Sequence, residues 1–351
     1  MINQSKSTIA IPPGATIKEL LDDRGMTQKE FAKRMGMTEK HISHLINGKS
    51  ELTHDVSLRL ELVLGVPASF WNNLETVYRE KLARVEAENS IEYEYELAKQ
   101  MPYSKMANLG WVPATRNPKE KVLNLRKFFE VAKLDILNTL CVPGIAYRKT
   151  GENDKSDYAL AAWAQKAKLE ARKITTAPID IQKLLDSVPV IRSMTIKSPS
   201  EFCEKLRTLL CECGIAIVFL PHIGGSFLHG ASFYDGNHIV LGLTVRGKDA
   251  DRFWFSLFHE LNHIIRGHIS GTCTTTHEQE IESDQFAKNT LIPIMEYEKF
   301  IKKEIFNRDT ITEFAKEVGI APGIVVGRLQ NDNLIPHNWY NDLKIRYKIS
   351  G

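Results

Sequence analysis

Five residues, His259-Glu260-Leu261-Asn262-His263, constrain the fold of this chain more than any other stretch. They lie in the run 249–267, DADRFWFSLFHELNHIIRG. Phe253, Trp254, Leu257, Phe258, Leu261, Ile264 and Ile265 cover most of a helix circumference there, so the helix is expected to be buried. Asp249 or Asp251 is the expected N-cap and Gly267 the stop. His259 and His263 are i and i+4 and leave one face together. Burying such groups unpartnered costs on the order of 1–3 kcal/mol each. A metal removes that cost by using the groups as ligands; the alternative is a partly exposed helix with solvated side chains. The H-E-x-x-H spacing suits two nitrogen ligands on one Zn²⁺, with Glu260 beside a water.

A second helix is predicted over 277–293, HEQEIESDQFAKNTLIP, with Ile281, Phe286, Ala287 and Leu291 inward and Pro293 ending it. Glu280 and Asp284 share a face. Glu280 is the expected third ligand. Asp284 is expected to accept a hydrogen bond from a ligand imidazole, which fixes its tautomer. Glu282 is the rival ligand, about 200° round the helix.

These motifs carry a resemblance. His259-Glu260-x-x-His263, Gly267-His268, Glu280-x-Glu282-Ser283-Asp284-x-Phe286-Ala287 and Leu291-x-Pro293 resemble the ImmA/IrrE family of metallopeptidases over about 200–335. Ser283 stands where that pattern usually has Ala. The resemblance implies an α+β, zincin-like domain, Zn²⁺ on His259, His263 and Glu280, Glu260 as general base, and a repressor protein as substrate. Mn²⁺ or Fe²⁺ can also occupy such nitrogen and oxygen donors.

Toward the N-terminus, 12–50 reads as three short helices. Ile17, Leu20 and Leu21 mark the first. Thr27 to Glu30 is a capping-box pattern, Phe31 and Ala32 face inward, and Gly36 ends the second helix. Thr38 caps the third, whose apolar face is Ile42, Leu45 and Ile46, before Asn47-Gly48. Two such helices across a Gly turn predict a helix-turn-helix. The third would enter a major groove with Thr38, Glu39, Lys40, His41, Ser43 and His44 outward, while Gln28 and Lys49 meet phosphates. A protein-binding bundle is the rival, because 1–90 carries 12 basic and 12 acidic residues.

Residues 11–80, through Pro12-Pro13-Gly14, Asn47-Gly48-Lys49 and Phe70-Trp71-x-Asn73-Leu74, resemble the HigA/VapI-type antidote repressors of the XRE superfamily. That implies double-stranded operator DNA, a homodimer and a toxin partner. Phe70, Trp71 and Leu74 are expected in the core, with a dimer face as the alternative.

Between these ends, 75–100 reads as one long helix, 119–139 and 158–173 as two more, and 142–156 as a loop. Strands are expected over 214–222, 226–234 and 237–243, with Asp235-Gly236 turning a hairpin. An exposed edge strand there would pair with an extended peptide. Tyr234, His229, Arg266 and His268 are unranked candidates for stabilising an oxyanion. The stretch 311–330 has helix-turn-helix spacing but no basic surface, and is expected to be structural. Residues 91–200 carry 18 basic and 12 acidic side chains and 201–351 carry 16 and 19; the basic surplus reads as a solvated face. Five cysteines (141, 203, 211, 213, 273) are expected to be reduced. No apolar run approaches a membrane span and 1–14 lacks a secretory core, so a cytoplasmic protein without a membrane partner is expected.

The expected organisation is thus a multidomain chain: an all-α helix-turn-helix domain (1–80), a helical spacer (81–187) and an α+β metallopeptidase domain with a small sheet (188–351). Two functions compete. One is a DNA-binding regulator whose zinc peptidase cuts a repressor in trans, or this chain in cis within 75–118. The other is an antitoxin-type repressor whose metal domain is a non-catalytic sensor or partner-binding module.

Overall fold

The computed structural model describes residues 3–5, 7–138, 154–224, 229–244, 249–269 and 275–347. Its contacts divide the chain into two compact units, Met1–Glu96 and Leu97–Gly351. The loop expected over 142–156 lies outside the described residues as far as 153, as do Cys141, Cys273 and residues 226–228 of the second expected strand.

The first unit opens with a hairpin, β1 (Asn3–Gln4) and β2 (Ile9–Ala10), paired antiparallel. Five helices follow: α1 (Pro13–Asp23), α2 (Gln28–Met35), α3 (Glu39–Ile46), α4 (His54–Leu64) and α5 (Ala68–Gln100). Thr27, Thr38 and Thr53 each accept a backbone N–H in the following first turn, so three starts are set by one device. Only half of the expected capping box at α2 forms, because the Glu30 carboxylate bonds Arg34 at 2.6 Å instead of its own N-cap. Ile17, Leu21, Phe31, Met35, Ile42, Leu45, Leu60 and Trp71 form one core. Trp71 is buried and Leu74 packs beside it, but Phe70 is exposed, correcting its expected core position. Asn47-Gly48 has a steric reason: Gly48 has φ +70°, and a Cβ there would meet Pro12 Cβ and Tyr78 Oη at 2.8 Å.

The second unit contains α6 (Tyr103–Asn108), α7 (Pro118–Phe129), α8 (Asp154–Ala171), α9 (Ile181–Ser193) and α10 (Pro199–Glu212). Then come β3 (Ile215–Leu220), β4 (Gly230–Asp235) and β5 (His238–Thr244), followed by α11 (Ala250–Ile265) and α12 (His277–Leu291). It closes with α13 (Ile294–Ile301), α14 (Arg308–Val318) and α15 (Pro322–Asn331). The sheet order is β3-β5-β4, with β5 parallel to β3 and antiparallel to β4. Asp235 pairs with His238, so the hairpin turns on Gly236-Asn237, one residue beyond the expected pair.

Both faces of this sheet are covered. Ile215, Ile217, Ile239, Leu241 and Leu243 pack into a core with Phe253, Trp254, Leu257 and Leu261 of α11. On the other face the alanine-rich α8 lies so close that a Cβ on Gly242 would sit 2.5 Å from the Trp163 ring. A strand buried on two faces reads as continuously apolar, as IAIVFL does. α8 is therefore structurally part of this unit, not spacer. The expected boundaries also fall within helices, 80/81 inside α5 and 187/188 inside α9.

At the C-terminal end, Ile324, Val325, Val326, Leu329 and Gln330 of α15 are buried, so that helix offers no free face to a groove. None of the described helices is long and apolar enough to cross a membrane.

Candidate metal centre and nucleic-acid interface

α11 and α12 pack side by side, and their contact assembles the candidate metal centre. Between them, Asn262 Nδ2 donates to Ser283 Oγ at 3.0 Å, both side chains buried. The mild departure from the resembling pattern, Ser283, is thus a helix-to-helix bond. α12 starts at a full capping box, Thr276 with Gln279, which orients its first turn and Glu280 with it. The expected inward face needs one correction: Ala287 and Leu291 are buried and Phe286 partly so, but Ile281 is 54% exposed. Glu280 and Asp284 take the inner face toward α11, and Ile281 is turned out as a consequence.

His259, His263 and Glu280 converge, with one donor atom from each within 4.8 Å of the others. The two Nε2 atoms are 3.0 Å apart. Glu280 lies 3.3 Å from His259 Nε2 and 3.5 Å from His263 Nε2. Bonds of about 2.0–2.1 Å to a tetrahedral cation would separate donors by about 3.3 Å, so the set fits three corners of such a site. Glu282, the rival ligand, is not in the cluster. It pairs with Arg266 at 2.8 Å and lies 3.5 Å from His268 Nε2, on the side of α12 that the 200° rotation put it.

Each of the three candidate side chains is backed by another group. Asp284 Oδ1 is 2.8 Å from His259 Nδ1, as expected of the orienting carboxylate. His263 Nδ1 is 3.1 Å from His268 Nδ1. With His263 Nε2 given to a cation, Nδ1 carries the proton, His268 Nδ1 accepts it, and His268 Nε2–H points at Glu282. Thr275 Oγ1 donates to Glu280 Oε1. Glu260 is buried in the same helix, where Ser232 Oγ of β4 donates to its Oε2 at 2.7 Å. A Cβ on Gly230 would come within 2.9 Å of Glu260 Cγ, so β4 must present glycine at that point.

The surroundings of the three side chains favour one extra proton, held on His259. Burial works against a charge on His259, but bonds to Asp284 and Glu280 outweigh it and raise the imidazole to about 10. Burial, then the charge of His259, lowers His263 to about 4. Burial would raise Glu280, but His259 and Thr275 hold it down at about 2. Burial pushes the Glu260 carboxyl up, opposed by His259 and by Ser232. One proton held between two imidazoles and a carboxylate is what a divalent cation displaces.

The structure brings together the three side chains expected as donors, with Asp284 against His259 and Glu260 on the same helix. The pattern alone does not single out Ser232, which reaches Glu260 across 28 residues, or Thr275, which reaches Glu280 just before the start of α12, and it leaves His268 unranked. Of the four oxyanion candidates, Arg266 and His268 are engaged by Glu282, Tyr234 is 37% exposed on β4, and His229 lines a cavity beside α11.

In the first unit, Gln28, Glu39, Lys40, His41 and Lys49 are exposed, Ser43 and His44 half-buried. Thr38 is exposed, but its Oγ1 accepts from the His41 N–H and so caps α3. α2 and α3 meet across Gly36, whose φ of +65° makes the tight turn. This is helix-turn-helix geometry, with the N-terminal turn of the second helix facing outward.

Comparison with known proteins agrees. The family model HTH_3, helix-turn-helix, matches residues 17–71. An uncharacterised HTH-type transcriptional regulator of Escherichia coli K12, YddM, is 31% identical over 80 residues, covering 23% of this chain and 81% of that protein. The chain belongs to this helix-turn-helix family through its N-terminal unit. Two solved structures are also similar. An addiction module antidote protein of the HigA family from Coxiella burnetii is 30% identical, covering 24% of this chain and 94% of its own, with a TM-score of 0.22. A protein described as an antidote of a plasmid maintenance system, from Nostoc punctiforme, is 32% identical, covering 26% and 94%, also at 0.22.

Proposed function

We propose that this chain is a DNA-binding transcription regulator whose second unit is a divalent-cation-dependent peptidase acting on a repressor protein in trans or on this chain in cis. The observation that carries the peptidase half is the convergence of His259, His263 and Glu280 beside the buried Glu260. The resemblance of 200–335 to the ImmA/IrrE metallopeptidases agrees with it. The cation of choice is Zn²⁺, with Mn²⁺ or Fe²⁺ suited to the same donors. When bound, it supplies Lewis acidity toward a peptide carbonyl and toward water.

The remaining chemistry belongs to side chains. Glu260 takes a proton from the attacking water and delivers it to the leaving amine. Ser232 fixes the Glu260 carboxylate through Oε2. Asp284 and His268 hold the two imidazoles in the tautomers that free their Nε2 atoms. β4 lies at the sheet edge, among the described residues, and offers a ladder for an extended peptide. Within 75–118, the segment 109–117 lies outside helices and is the cis substrate most easily laid out as a strand.

The DNA half rests on α2, α3 and the family match. Lys40, His41 and Ser43 read base edges, and Gln28 and Lys49 contact phosphate. Two copies on a palindromic operator suit the geometry.

Elemental analysis of the purified chain, joined to a cleavage screen against neighbouring repressors, tests the proposal. Glu260→Gln is expected to keep its cation and lose cleavage by at least ~100-fold, the scale of a general base. A variant that cuts like the parent overturns the mechanism. Full cation occupancy with operator binding and no cleavage favours the sensor reading.

A further inference from the structure

A second pocket sits away from the three cation donors. It is a cavity of about 280 Å³ between the N-terminal half of α11, the C-terminal end of α12, and α15 with the strap that follows it. A volume near the lower end of ligand sites suits a small metabolite rather than a macromolecule. Four cations, Arg252, Lys288, Arg328 and Lys344, and one carboxylate, Asp251, line it.

The charged wall is built, not incidental. Asp251 and Lys344 pair at 2.8 Å with both side chains 8% exposed. Arg328, 13% exposed, is held by Asp332 at 2.7 Å and lies over the Tyr297 ring at 4.3 Å. A Cβ on Gly327 would sit 2.2 Å from Asp251 Oδ2, so α15 carries glycine where that carboxylate meets it. Arg328 Nη1 and Asp251 Oδ1, atoms of two lining residues, are buried and, among the described residues, have no hydrogen-bond partner. Such groups cost on the order of 1–3 kcal/mol each unless something satisfies them.

The geometry points to a binding site for a small oxyanion, a carboxylate or phosphate that also carries a hydroxyl or amine. The acid group meets Arg328 and Lys288, and the donor meets Asp251. The excess of cations selects charge, and a guanidinium selects a planar or tetrahedral acid. Because α11 and α12 also carry the cation donors, and the Phe255 ring of the wall lies 6.3 Å from the His259 ring, an occupant would bear on the metal helices. The site itself does not depend on the peptidase reading.

Calorimetric titration of the full chain with malate, inorganic phosphate, a glutamate blocked at both ends and, as an uncharged control, benzyl alcohol tests this. Binding of malate or phosphate is expected, weakened at least tenfold in Lys288→Gln and in Arg328→Lys, with benzyl alcohol silent. Preference for blocked glutamate over malate would assign the same acid group to a peptide side chain. Lys288 is half-buried and makes no ion pair among the described residues, so its variant is expected to fold as the parent does, checked by its melting curve. Failure of every acid to bind at 10-millimolar order, or unchanged affinity in a folded Lys288→Gln, overturns the proposal.

Discussion

The centre of the second unit is decided by single residues behind the donors. His268 shows this best. Its Nδ1 lies 3.1 Å from His263 Nδ1 and its Nε2 3.5 Å from Glu282, itself held by Arg266. His268→Phe keeps a ring of similar size and removes both nitrogens. Under the proposed metal reading it is expected to weaken cation affinity by about 10- to 100-fold, measured by competition with a chromogenic chelator, while melting of the chelated protein hardly changes. Equal affinities would leave His268 a packing residue. From the sequence Glu282 reads as the rival third ligand. The helical angle separating it from Glu280 tells the two apart, but which face α12 turns to α11 is set by Ser283, Ala287 and Leu291 packing, not by local pattern.

Among elements, the surprise is α8. Lys168, and Arg172 just past its end, read as part of a solvated basic run, yet both bind Asp235 at the end of β4, at 2.9 and 2.8 Å. They pin the helix to the hairpin whose strand also holds Ser232. Burial alone would raise Asp235, but its bonds to Arg172 and Lys168 outweigh it and hold its carboxyl below the ordinary range. A lowered folded value means stability present above the unfolded value and lost as pH falls through the folded one. Asp235→Asn is expected to cost about 1 kcal/mol at pH 7. Urea unfolding should show that difference shrinking once pH drops below about 3.9, the ordinary aspartate value. A difference that stays constant down to pH 2 would assign it to packing. At the same scale, Trp163 on Gly242 was unreadable in advance, because nothing in an alanine-rich helix names the strand it will cover.

Taken whole, the molecule is two units joined within one helix, α5. Under the metal reading, the cation adds stability to the second unit alone. At a hundredfold excess over its dissociation constant it adds about 2.7 kcal/mol, or roughly 5–10 °C for a domain of this size. Differential scanning calorimetry with and without chelator should shift one transition and leave the other in place. If both transitions move together, the two units are energetically coupled; if neither moves, no cation is held.

The sequence by itself determined what local chemistry dictates. Threonine caps and glycine stops set α2 and α3, an apolar circumference buried α11, and i, i+4 spacing put two imidazoles on one face, because these depend on residues within a few positions of each other. Tertiary structure alone decided what distant segments share: that a serine on β4 holds Glu260, that a helix read as spacer roofs the sheet, and that Asp251, Lys288, Arg328 and Lys344 surround one cavity. Those choices follow from packing between segments tens of residues apart, where no periodicity carries a signal.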